Sequence, residues 1–258
     1  MSHVISPSTS DNTTEGRASR PLQVAEAMKQ FVVSEGLQAG DKLPSEAELM
    51  ALFGMAKGTI REATRILEAQ GLVKTRTGPG GGCFVHEVSE TRTRALLSNY
   101  FYFRRLTIRD IYQLRKQLEP ELVAELAGKL DESAIAELHA ITEEYKDPPQ
   151  NREEDRLHHE AALRFHASLA RHSKNQLLGF IIGFMAEVLS EVTTNRRLFE
   201  PRNTQLWAKG REFQLSLLTA LKHGDPTVTR KIMSDHMEFA ETLMLQQEVR
   251  VERKFGDL

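Results

Sequence analysis

The chain has 258 residues, enough for two modest domains, and its 40% hydrophobic and 27% charged residues make an ordinary soluble composition. A single cysteine, Cys83, excludes an intrachain disulfide and fits a reducing cytoplasm. The net charge of −2 excludes a global attraction to polyanions, so any nucleic-acid role has to rest on a local basic patch.

The polar start "MSHVISPSTSDNTTEGRAS" lacks the apolar core of a signal peptide and is predicted to be a disordered tail over 1–19. From 20 to 88 the punctuation is dense. Val24, Met28, Phe31 and Val32 recur at helical spacing, and Gly36 supplies a stop. In "LPSEAELMALFG", Ser45 and Glu48 form an S-x-x-E capping box ahead of a buried stripe of Leu49, Leu52 and Phe53. After the turn "GMA" comes "KGTIREATRILEAQG", with Ile60, Ala63 and Leu67 facing inward. Lys57, Arg61 and Arg65 fall at i, i+4 and i+8 and so share one outward stripe.

Two short helices, a tight turn and a cationic second helix suit a helix-turn-helix whose second helix enters the major groove. In "LVKTRTGPGGGCFVHEV" an alternating strand carrying Lys74 and Arg76 leads to a glycine tip. Phe84 and Val85 begin the return strand, so this is the hairpin of a winged helix. Between Met55 and Gly80 five Lys/Arg stand against two Glu, which makes the module basic although the chain is not. The glycine run is not followed by G-K-[ST], which argues against a phosphate-cradling loop.

Residues 89–106 read as a linker open to helix, and 107–250 as all helix. Thr107 and Asp110 cap a helix with Ile108, Ile111, Leu114, Leu118 and Leu122 inward and a kink expected at Pro120. The most apolar run, "LLGFIIGFMAEVLSEV", falls short of the roughly 20 residues of a membrane span, holds Glu187, and is predicted to be a buried helix. Breaks at "DPPQ", "FEPRN" and "HGDP" leave a bundle of six or seven helices, large enough to enclose a cavity, and a short tail at 251–258.

The first module resembles the DNA-binding domain of the GntR family of bacterial transcription regulators through "LPSE", "TIREA" and the glycine wing. The resemblance implies DNA contacts at Lys57, Gly58, Thr59, Arg61, Thr77 and Gly78, to which the basic stripe and strand add Arg65 and Arg76. Two departures stand out: Ala47 and Lys57 occupy positions where the family commonly has Arg. Arg can grip guanine in a bidentate fork, whereas Lys is a point charge, so the operator is expected to be shifted or phosphate contacts to weigh more.

The second half resembles the helical ligand-binding domain of the FadR subfamily, through "IYQLRKQLEPELVAELA", "RFHASLARHSKNQLL", "LLTALKHGD" and "DHMEFA". The resemblance implies a divalent metal held by one Asp and three His, and here those positions read Ala162, His166, Gln214 and His236. Two donors of four remain, so no resident metal is expected, and a small organic effector, with carboxylates a candidate class, would meet His166, Gln214 and His236 directly. Arg115 is the candidate cation for an acidic effector, and Glu119 at i+4 is its competing partner. Asp155 and His159 also form a D-x-x-x-H pair, read as chance on a polar helix face.

The expected protein is mainly α. It is a cytoplasmic homodimer that binds a short palindromic DNA operator through the winged helix-turn-helix, and a repressor relieved by its effector. Two other readings stay open: a metal-dependent enzyme, and a helical ligand-binding module without specific DNA binding.

Overall fold

The computed structural model describes residues 19–256 apart from 103, 105, 199, 201 and 202, and for 250–256 the backbone alone. The tail predicted over 1–19 lies outside the described residues except at Ser19. The chain divides into two units after Leu97. It is mainly helical throughout, with one two-stranded antiparallel sheet among the described residues.

The first unit is built from α1 (Arg20–Ser34), α2 (Glu46–Phe53), α3 (Lys57–Gln70), β1 (Val73–Arg76) and β2 (Gly82–Val85). Pro21 suits the first turn of α1, where a missing N–H costs nothing. The Ser45/Glu48 capping box starts α2 as the spacing predicts. Gly54 ends α2 and Gly71 ends α3, both at positive φ, so the chain turns sharply after each helix. Val24, Met28, Leu49, Ile60, Ala63, Leu67 and Val73 close a single core between the helices and the first strand.

The strands pair in register from Val73 with Val85 to Arg76 with Gly82. The return strand therefore starts two residues earlier than the sequence indicates, because Gly82 pairs as well as Phe84. Residues 41–43 back β2: Leu43 donates to the Cys83 carbonyl and Val85 to that of Asp41, each at 2.8 Å. At the tip, a side chain on Gly81 would sit 2.6 Å from the Arg76 carbonyl oxygen, so the hairpin can close only around a glycine.

The predicted linker is helix: α4 spans Glu90–Tyr102 and contains the division between the units. The second unit holds α5 (Ile108–Leu126), α6 (Glu132–Glu143), α7 (Arg152–Arg171), α8 (Gln176–Asn195), α9 (Thr204–His223) and α10 (Pro226–Gly256). Thr107 and Asp110 form the expected capping box of α5, which runs through Pro120 without a break. Leu114, expected inward, is 51% exposed, because the buried stripe of α5 follows Ile108, Ile111, Tyr112, Arg115 and Glu119 instead. The last helix continues to Gly256, past the boundary expected at 250.

α5 packs on α10 and α8, α7 on α8 and α6, and α9 on α10 and α6. α8 is long and apolar enough for a membrane span by composition, yet half of that stretch is buried against its neighbours and Glu187 points outward. The ends of α5 and α9 meet backbone to backbone. Gly128 donates to the Leu221 carbonyl at 2.9 Å, and a side chain on Gly128 would lie 3.1 Å from the Gly224 Cα. Both glycines have positive φ.

Candidate functional site

In the first unit, Lys57, Gly58, Arg61, Arg65, Arg76, Thr77 and Gly78 are exposed and Thr59 is half-buried. All eight lie on α3 or at the wing. The N-cap of α3, Ala56, has no side-chain acceptor and the first turn holds no acid, so the helix presents free N–H groups and the positive end of its dipole. A phosphate oxygen is the natural partner for such an end.

The cations are not isolated. Glu46, at the start of α2, reaches Lys57 Nζ at 3.1 Å and Arg61 Nε at 2.7 Å. Hydrogen bonds from Arg61 and then Lys57 hold its carboxyl below the usual glutamate value. Holding Arg61 through Nε leaves its two terminal nitrogens for a base edge or phosphate. Arg65 leans on Glu62 at 3.4 Å and stays 76% exposed. Across the groove, Arg76 lies 4.6 Å from the centre of the Phe84 ring, and Glu68 accepts from the Thr75 amide at 2.9 Å, tying wing to helix. Glu46 went unnoticed in the sequence because its partners are 11 and 15 residues away on another helix.

In the second unit, the helices line a cavity of about 80 Å³. Its wall brings together Arg115 from α5, His166 from α7, Gln214 from α9 and His236 from α10. Arg115 Nε donates to Glu119 Oε1, and the other carboxylate oxygen of Glu119 lies 2.6 Å from His166 Nδ1. An ionised carboxylate only accepts, so His166 carries its proton on Nδ1. Burial alone would raise the Glu119 pKa, but the Arg115 guanidinium and then His166 outweigh it and hold the carboxyl well below the usual range.

Gln214 Nε2 donates to the Ala162 carbonyl at 3.1 Å and lies 3.4 Å from His166 Nε2, and its Oε1 accepts from the Tyr145 hydroxyl. The His236 ring stacks on Phe213 with centroids 5.2 Å apart, the same separation it keeps from His166. Ala162 lines the cavity with a methyl group. The donor set therefore does not fit a tightly held divalent ion: one position has no donor atom and another offers an amide already hydrogen-bonded on both sides. Among the described residues, no group of three or more His, Cys, Asp and Glu is placed to share one.

Asp155 and His159 correct the sequence reading. They are not on an outer polar face; both line the cavity together with His158. Positions 155, 159, 162 and 166 follow steps of four, three and four, the stripe of a single helix face, and that spacing was the available signal. Tyr145 and Trp207, also on the wall, carried no comparable signal; the Trp207 indole donates to the Tyr145 carbonyl at 2.8 Å.

Burial, and then the nearby Arg115 charge, push the His159 pKa down to about 4 from the ordinary 6.5. Burial, His166 and Arg115 also put His236 well below 6.5. Between these values the unfolded chain binds protons that the folded one refuses, so stability rises with pH across the window. Thermal melts are expected to show the helical unit losing stability as pH falls from about 6.5 towards about 4. The Glu119 contribution is lost only below its ordinary value of 4.5. A melting temperature flat across the histidine window would refute the neutral, buried histidines.

Residues 21–85 match the model of the bacterial regulatory proteins, gntR family, and residues 110–239 match that of the FCD domain. The HTH-type transcriptional regulator LutR of Bacillus subtilis is 28% identical over 161 residues, covering 62% of this chain and 71% of LutR. The Exu regulon transcriptional regulator of Escherichia coli K12 is 25% identical over 229 residues, covering 87% of this chain and 84% of that one. Among solved structures, Streptococcus agalactiae GntR superposes with a TM-score of 0.59 at 19% identity, over 86% of this chain and 99% of its own, a likeness of fold.

Proposed function

The chain belongs to the gntR family of bacterial regulatory proteins, in the branch with a C-terminal FCD domain, and we propose from this that it is a cytoplasmic, homodimeric repressor. It is a ligand-responsive DNA-binding regulator of transcription. In our reading, two winged helices dock on the half-sites of a short palindrome, and a small organic effector in the helical cavity, with carboxylates the favoured class, releases them. Release requires that the effector bind the DNA-free conformation more tightly.

The observation that carries this reading is one chain holding both a cationic recognition helix, poised by Glu46, and, behind it in sequence, a cavity whose wall carries Arg115, His166, Gln214 and His236. An enzymatic role finds less support, because Glu119, His166 and Gln214 are hydrogen-bonded to one another or to their neighbours and no Ser or Cys lines the cavity among the described residues. Cys83 is on the wing, with its thiol pushed up to about 11 by burial.

Selection of tight binders from a random duplex pool tests the proposal. The expected product is an inverted repeat bound by two chains, as read by sedimentation. A pool without enriched sequence, or a single chain on an asymmetric site, would sink it. Glu46→Gln is a sharper probe. Removing the acid that restrains Lys57 and Arg61 is expected to tighten binding to unrelated DNA several-fold at low salt while narrowing the ratio of operator to unrelated affinity. Fluorescence anisotropy on both duplexes measures that ratio, and an unchanged ratio would remove Glu46 from the mechanism.

A further inference from the structure

We propose that the cavity takes its effector without a metal, as a small organic anion whose charged end pairs with Arg115 and whose second polar group meets His159. This rests on the reading of the cavity as the effector site. The first support is what stands in the place of an ion. The Gln214 amide cannot turn to offer its oxygen, because the Ala162 carbonyl requires a donor at Nε2 and the Tyr145 hydroxyl supplies a proton to Oε1. His166 is held at both nitrogens, by Glu119 at 2.6 Å and by Gln214 at 3.4 Å. Side chains from α5, α7 and α9, with Tyr145 beyond the end of α6, are thus cross-linked through an amide, and an ion would have to break that network.

The second support is what the network leaves unused. Arg115 is 1% exposed, yet its Nη2 is buried with no hydrogen-bond partner among the described residues. The same holds for His159 Nε2. Both residues line the cavity. The guanidinium lies 5.0 Å from the centre of the Tyr112 ring, but a buried Nη2 without an acceptor in hydrogen-bond geometry is costly, and an oxyanion satisfies it with a charge-assisted bond. Glu119 does not fill this need, since its two oxygens go to Arg115 Nε and His166. The space suits a molecule of a few heavy atoms.

The test uses full-length protein stripped of metal with EDTA. The probes are glycolate, lactate and malate, each paired with its neutral amide. Binding is read by calorimetry and by the fluorescence of Trp207, the only tryptophan in the chain and part of the cavity wall. At least one acid is expected to bind the stripped protein, and its amide to bind about tenfold more weakly or worse. Arg115→Gln is expected to abolish the preference for acid over amide. His159→Ala, which leaves the Arg115–Glu119 pair intact, is expected to weaken the acid about tenfold.

Zinc alone is the second probe. The wild type is expected to take up no stoichiometric zinc, and Ala162→Asp with Gln214→His, which restores four donors, to take up one ion per chain. The proposal is overturned if acids bind only after zinc is returned, if amides bind as well as acids, or if no acid binds with or without zinc. Stoichiometric zinc on the wild type that His166→Ala removes would overturn it equally. An acid that binds the stripped protein but leaves operator affinity unchanged would instead overturn the effector reading and leave the metal-free anion site standing.

Discussion

Arg61→Ala is expected to weaken binding to the selected operator by roughly ten- to a hundredfold and to relax sequence preference at one position of each half-site. Arg61 is on the exposed face of α3, and Glu46 holds it by Nε at 2.7 Å. Its two terminal nitrogens are therefore presented as a fork in a fixed plane, the geometry that reads guanine O6 and N7. Arg65, 76% exposed and only loosely paired with Glu62, is the natural comparison. Arg65→Ala is expected to weaken all duplexes alike and to flatten the log–log salt dependence by about one unit, the signature of a lost phosphate contact. Titrations of operator and scrambled duplexes across a salt series separate the two effects. If Arg61→Ala keeps wild-type affinity and preference, α3 is not the recognition helix.

The second large effect lies in the helical unit. Glu119→Ala should cost on the order of 3–5 kcal/mol, because it strands the Arg115 charge in the interior and takes the acceptor from His166. For a unit of this size that is a fall of about 10 °C in melting temperature. Glu121, two residues along the same helix, is a built-in control. It holds Arg230 through two bonds of 2.8 and 2.9 Å, but both side chains are exposed. An exposed pair is screened by water and salt, so Glu121→Ala should leave the melting temperature where it is. Equal effects at 119 and 121 would mean that the Arg115–Glu119–His166 array is not the buried core of the unit.

Local chemistry made much of this architecture legible. Two capping boxes, Ser45 with Glu48 and Thr107 with Asp110, form where their spacing says they should, since each depends on residues three apart. The apolar stripe of α3 and the glycine-tipped hairpin are legible for the same reason. Arg115, His166, Gln214 and His236 reach one cavity. What sequence does not display is pairing at a distance. Glu119 meets His166 across 47 residues and Tyr145 meets Gln214 across 69, and no periodicity announces either contact. Asp155 and His159 read as solvent-facing because polar residues at helical spacing ordinarily are; here the helix turns them toward a cavity whose wall also carries Arg115, His158 and His166. Leu114 is the converse case, an apolar residue left outside because Tyr112, Arg115 and Glu119 hold the inner face.

Gly128 and Gly224 mark the point where the ends of α5 and α9 touch. Neither lines the cavity, and either would pass for an incidental loop residue. Yet a side chain at one would press on the backbone of the other, and the positive φ of each resists any replacement. A side chain at either position is therefore felt by both helices, and no change at the other relieves it. α5 carries Arg115 and Glu119, and α9 carries Gln214. Two of the helices that build the cavity wall are thus pinned to each other at a point outside it.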